Sequence, residues 1–86
     1  MNIQLRYFAS LREAVGRDSE TLEWEPDASP SAADVIERLR ARGGRWAEAF
    51  AADNPLMCAI NQEMCDPGQR LKEGDELALF PPVTGG

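Results

Sequence analysis

The chain has 86 residues, of which 43% are hydrophobic and 28% charged, with nine basic residues against fifteen acidic for a net charge of −6. At this length one small domain buries roughly 60–65% of its unfolded surface, which makes a core but not a large enclosed active site. The composition is that of a globular domain rather than a disordered chain. It holds no run of 18 apolar residues to span a membrane, and its single Lys72 and scattered arginines disfavour nucleic acid and anionic lipid.

In chain order, Ile3, Leu5 and Tyr7 alternate with Gln4 and Arg6, the period-two signal of a half-buried strand. The alternation breaks at Phe8-Ala9. Ser10 is the expected cap of a short helix from Leu11 to Val15, stopped by Gly16. Thr21 to Glu25 is a second period-two segment, so the chain is expected to open with a hairpin. Glu25 to Pro30 reads as a loop. Ser31 and Asp34 form a capping-box pattern, and Ala32, Val35, Ile36 and Leu39 then fall on one helical stripe. Gly43-Gly44 is the expected end of this main helix. Arg45 to Ala52 repeats the helical pattern briefly, with Trp46 and Phe50 on one face.

Leu56 to Ile60 is an apolar strand, Asn61 to Glu63 a turn, and Met64-Cys65 the start of a short return strand. Asp66-Pro67-Gly68 is another turn, and Glu76 to Phe80 forms the last strand. The expected class is α+β: a mixed sheet of about four to five strands wrapped over one main helix, with short extra helices. Residues 1–80 are expected to form the domain and 81–86 a flexible tail.

Two scarcities bear on function. The chain has no histidine, so the usual neutral-pH proton shuttle is missing. Its two cysteines, Cys58 and Cys65, lie in apolar surroundings and read as free thiols in a reducing compartment, with a disulfide or a reactive thiol as the sharper alternative. They are too few, without histidine, for a zinc site. The opening MNIQLRYF has no basic segment followed by an apolar one, so the expected location is the cytoplasm.

The end of the chain carries the strongest signal. Pro81-Pro82 cannot continue a central strand and favours an extended spacer. Gly85-Gly86 is a terminus without side chains, able to thread a narrow channel. From Pro81 to Gly86 the tail reaches up to roughly 20 Å. The plain alternative is a frayed end.

The run Phe80-Pro81-Pro82-Val83-Thr84-Gly85-Gly86 resembles the C-terminal signature of the ubiquitin-like sulfur-carrier family, in its molybdopterin branch. Tyr7 to Glu13, Asn61-Gln62-Glu63 and Glu73 to Phe80 resemble further parts of that family. The resemblance implies a β-grasp (ubiquitin-like) fold and a carrier that is not catalytic alone. An ATP-using activating enzyme would adenylate the carboxylate of Gly86. A sulfur donor, a cysteine desulfurase or rhodanese-like protein, would convert it to a thiocarboxylate. The family's large catalytic subunit would then take the tail and pass sulfur to a cyclic pterin phosphate.

No cofactor or metal is expected on the chain itself. Phe8, Phe80 and Met64 match family positions that contact partners, and Arg12 is a further candidate contact. Because Phe8 breaks the alternation and Phe80 follows Leu77 and Leu79, both aromatics are expected to point away from the core. Sulfur carriers of the thiamine or transfer-RNA-thiolation pathways, and ubiquitin-like modifiers, share the fold and the terminal glycines.

Overall fold

A computed structural model describes residues 1–82; Val83, Thr84, Gly85 and Gly86, and the tail expectation that rests on them, lie outside the described residues. The elements are β1 (Asn2–Tyr7), α1 (Ala9–Val15), β2 (Ser19–Glu23), α2 (Ala32–Arg40), α3 (Gly44–Ala49), β3 (Met57–Ile60), β4 (Glu63–Cys65) and β5 (Glu76–Phe80). The five strands form one sheet in the order β2-β1-β5-β3-β4. β1 and β5 pair in parallel, and the other neighbours are antiparallel. This is the mixed sheet expected from the sequence, in the β-grasp arrangement.

The alternation in β1 buries Ile3, Leu5 and Tyr7 to 1% exposure or less. These pack with Leu22, Leu77, Leu79, Cys58 and Ile60 from the other strands, with Ala32, Val35 and Leu39 from α2, and with Leu11, Val15 and Phe50. Each large aliphatic or aromatic side chain so enclosed contributes about 1.5–3 kcal/mol.

The capping box of α2 forms as the sequence predicts. The Ser31 hydroxyl accepts from the Asp34 N–H at 3.1 Å, and the Asp34 carboxylate accepts from the Ser31 N–H at 3.0 Å. That reciprocal pairing satisfies two donors the helix would otherwise leave open.

Three local expectations are corrected. The first concerns α1, which is capped by Phe8 and not by Ser10, with no side-chain cap. The Phe8 N–H is held by the Leu79 carbonyl at 3.2 Å, and the Phe8 carbonyl accepts from Leu11 and Arg12. The chain therefore turns as soon as it leaves the sheet, and Ala9 takes the left-handed φ of 54° that this turn demands. An alanine there costs about 1 kcal/mol.

The second concerns β2, which begins two residues earlier than its pattern implied. β1 offers partners from Ser19 to Glu23. Trp24 lies beyond that ladder and is capped by the Arg38 guanidinium, 3.5 Å from the ring centroid.

The third concerns Gly43-Gly44, which does not stop α2. The C-cap is Ala41, still right-handed. Gly43 (φ 79°) caps α3, and Gly44 (φ 53°) opens it. The pair is the joint that turns Trp46 and Phe50 back onto the core.

Candidate functional site

Side chains alternate between the two faces of a strand, so burying Tyr7, Leu77, Leu79 and Cys58 turns their neighbours outward. Phe80 lies opposite Met57, and Ala78 lies opposite both Ala59 and Arg6. Ala59 in turn faces Met64. The outer face beside the exit of β5 is thus an apolar surface with two small residues at its centre. Met64 (59%), Phe8 (38%) and Met57 (38%) are its exposed large members, and Phe80 is half-buried.

A charged rim borders this face. The Arg6 guanidinium lies 5.3 Å from the Phe8 ring centroid and 3.8 Å from the Glu76 carboxylate. Pro81 and Pro82 follow Phe80 outside any strand, both half-buried. Pro81 also lines an open groove of about 200 Å³ against Ser10, Leu11 and Ala14 of α1 and the segment from Asn54 to Leu56.

The structure brings three of the sequence-predicted residues, Phe8, Phe80 and Met64, to this one face. Arg12 does not join them: it sits in the last turn of α1, exposed. Val83 to Gly86 lie outside the described residues. Met57 was missed by sequence reasoning, because the apolar run from Leu56 to Ile60 hides its alternation. The signal was its place in that strand, one residue before the buried Cys58.

A partly exposed ionic network, anchored on the buried Tyr7, braces the inner side of the same region. Tyr7, paired with Leu79, donates its hydroxyl to the Glu20 carboxylate at 2.7 Å. Arg42 donates to both Glu20 oxygens, at 2.9 and 2.8 Å, and Arg17 approaches to 3.5 Å. Burial, then the hydrogen bond to Glu20, pushes the Tyr7 phenol far above its ordinary value, so it stays protonated. For Glu20, burial alone would raise the carboxyl. The hydrogen bonds from Arg42 and Tyr7, and the charges of Arg42 and Arg17, outweigh it and hold Glu20 low. Trp46 packs edge-on to Tyr7 and stacks on Phe50, with centroids 5.7 and 6.0 Å apart.

A second polar clasp fixes the start of β5. The Asp75 carboxylate accepts from Asn61 Nδ2 at 2.9 Å and from the Lys72 N–H at 2.8 Å. Asn61 Oδ1 accepts from the Glu76 N–H at 3.0 Å. Asn61 and Gln62 both have positive φ, 52° and 69°, the geometry of a tight two-residue hairpin. Both clasps are structural. The described residues hold no cluster of three or more metal-ligating side chains.

What remains is an exposed apolar face beside Pro81 and Pro82. A molybdopterin synthase sulfur carrier subunit of Haemophilus influenzae is 40% identical over 98% of this chain and 99% of its own. Small archaeal modifier protein 1 of Haloferax volcanii is 34% identical over 98% of this chain and 100% of its own. Its crystal structure superimposes with a TM-score of 0.74 over 100% of both chains, where the structural alignment gives 25% identity. A solved complex of subunits 1 and 2 of the molybdopterin-converting factor of Helicobacter pylori contains a chain with the same fold. That chain has a TM-score of 0.67 at 21% identity and is covered over 100% of both lengths. The ThiS family model matches residues 5–86, and the chain belongs to that family.

Proposed function

We propose that this chain is the sulfur carrier of a molybdopterin synthase. The observation that carries the reading is the 40% identity, over nearly the whole of both chains, to the Haemophilus influenzae sulfur carrier subunit. Residues 1–80 serve as the domain, and Pro81, Pro82, Val83, Thr84 and Gly85 as the tail that delivers Gly86. An ATP-dependent activating enzyme adenylates the Gly86 carboxylate, which turns a poor leaving oxygen into a good one. The persulfide of a cysteine desulfurase or rhodanese-like donor attacks the acyl-adenylate and expels AMP. A second thiol then cleaves the resulting acyl disulfide, forming a disulfide with the donor and releasing a thiocarboxylate, anionic and nucleophilic at neutral pH. ATP is consumed by the activating enzyme, and this chain holds no cofactor.

The large subunit takes the tail and directs the sulfur to a cyclic pterin phosphate. Phe8, Phe80, Met64 and Met57 form the apolar contact for these partners, and Arg12 is a separate contact on α1. The reading needs no acid or base on this chain, in keeping with the absence of histidine. Among the described residues no helix is long and apolar enough to cross a membrane, and the cytoplasm is the proposed location.

The likeness to a small archaeal modifier protein supports a second reading, in which activated Gly86 joins a target lysine. One experiment separates the two. The protein is incubated with the activating enzyme, ATP and a sulfur donor, and its intact mass is recorded. The carrier reading expects one oxygen of Gly86 to be exchanged for sulfur, and molybdopterin to form when the large subunit and cyclic pterin phosphate are added. Isopeptide conjugates with no thiocarboxylate would establish the modifier instead.

A further inference from the structure

The thiols of β3 and β4 take no part in the chemistry above, yet they meet. Cys58 and Cys65 lie directly opposite each other on the antiparallel β3–β4 ladder. Their Sγ atoms are 3.1 Å apart, and the Cys58 Sγ is 3.3 Å from the Cys65 carbonyl oxygen, to which it donates. Both are free. Opposed residues of an antiparallel pair hold their Cα atoms ~4.5–5.5 Å apart, within the ~4.4–6.8 Å that a disulfide bridges. The sulfurs need to close by only about 1 Å. β4 can yield that distance, because it is a three-residue strand at the edge of the sheet.

The two thiols differ in access. Cys58 is 4% exposed, and burial, then the hydrogen bond to Cys65, pushes its thiol up to about 12. Cys65 is half-buried on the edge strand and is the more accessible of the two. An oxidant therefore enters at Cys65, and Cys58 acts second.

We propose that Cys58 and Cys65 form a reversible dithiol–disulfide site, oxidised by a small-molecule disulfide, that clamps β4 onto β3. Cys65 loses its proton and attacks one sulfur of the small disulfide. That bond breaks, and the first small thiolate leaves, taking up the proton. Cys58 then attacks the Cys65 sulfur of the mixed disulfide, and its proton goes with the second departing thiol. Two protein thiols are oxidised by two electrons to one disulfide, and the small disulfide is reduced to two thiols. The adjacency of the sulfurs offsets the reluctance of Cys58 to ionise. Met57 and Met64 flank the bridge on the outer face, so the clamp also fixes their spacing.

The test equilibrates the full chain in glutathione buffers of graded oxidised-to-reduced ratio, traps free thiols by alkylation and reads intact mass. The expected product is a monomer lighter by two hydrogens, closed to alkylation and restored by dithiothreitol. Cys58→Ala should instead accumulate one glutathione on Cys65, while Cys65→Ser should be modified at least ~10-fold more slowly. The oxidised wild type should melt higher by about 4 °C or more. Wild-type protein that stays fully alkylatable in oxidised glutathione, that carries two glutathiones, or that forms disulfide-linked dimers would overturn the site. An oxidised monomer with an unchanged melting temperature would overturn the clamp.

Discussion

Met57 lies directly across the β3–β5 ladder from Phe80, which places a flexible thioether beside the aromatic at the root of the tail. Directly opposed residues on one sheet face share their contacts, so a partner that closes around the tail exit meets both. Phe80→Ala should weaken binding of the large subunit by about 2 kcal/mol, roughly 30-fold. Met57→Ala should cost about 1 kcal/mol, and the pair should couple by at least ~0.5 kcal/mol in a double-mutant cycle. Calorimetric titration of folded variants measures all three. Unchanged affinity for both single variants would assign these residues to the domain's own packing.

The tail is tested by its length. Deleting Gly86, appending one residue after it, or substituting Gly85→Val should each abolish thiocarboxylate formation and molybdopterin production. Deletion shortens the reach by ~3.3 Å, and misplacement by about 1 Å at a reacting centre can cost ~100-fold. A valine at position 85 restricts the backbone and widens the segment. The melting temperature should not move in any of the three. Sulfur transfer by the extended protein would show that the Gly86 carboxylate is not the reactive group.

Cysteine sulfur should be irrelevant to that transfer. The double variant Cys58→Ala/Cys65→Ala loses packing at one buried position and one half-buried position and should be less stable by ~1–3 kcal/mol. Per folded molecule it should still form thiocarboxylate at the wild-type rate, read by mass over time. Normal folding with lost transfer would indicate a persulfide on a thiol of this chain.

Acid should loosen the fold through its lowered carboxylates, Glu20 and Asp75 among them. Glu20 is held below its ordinary range by Arg42 and Tyr7 against the cost of burial. Asp75 is likewise lowered, with burial opposed by Asn61, the Lys72 N–H and the Lys72 charge. A depressed folded-state value contributes stability that is present above the unfolded value, near ~4, and is lost as pH falls through the folded value. Urea midpoints should therefore be flat from neutrality to about pH 5 and fall below it. In Glu20→Gln the fall should be shallower and the neutral-pH midpoint lower, since Arg42 and Tyr7 lose their charged partner. A variant curve parallel to wild type would remove Glu20 from the account.

The regular part of this structure was legible because its signals are local. β1 declares itself through Ile3, Leu5 and Tyr7, and α2 through the pairing of Ser31 with Asp34, three residues apart. Phe8 and Phe80 could be placed on the outer face because each interrupts or follows an alternation. Met57 was hidden because an apolar run has no period to read. The Phe8 cap of α1 escaped notice because it depends on a bond to Leu79, at the far end of the chain. The clasp of Tyr7, Glu20 and Arg42 likewise joins β1, β2 and the turn between α2 and α3, and nothing in any one of them announces the other two.

The central place of β5 has a mechanical consequence. Its bonds run on one side to β1, where Gln4 meets Glu76, and on the other to β3, where Met57 meets Phe80. A pull on Pro81 is directed along the strand, so it shears both ladders together instead of peeling one open bond by bond. Load that a partner applies while drawing the tail into a channel is thus shared across the middle of the sheet. The same placement means that the chain cannot assemble its sheet until β5 arrives to join the β1–β2 half to the β3–β4 half. A folded domain accordingly presents Pro81 only from a finished sheet, which couples display of the tail to completion of the fold.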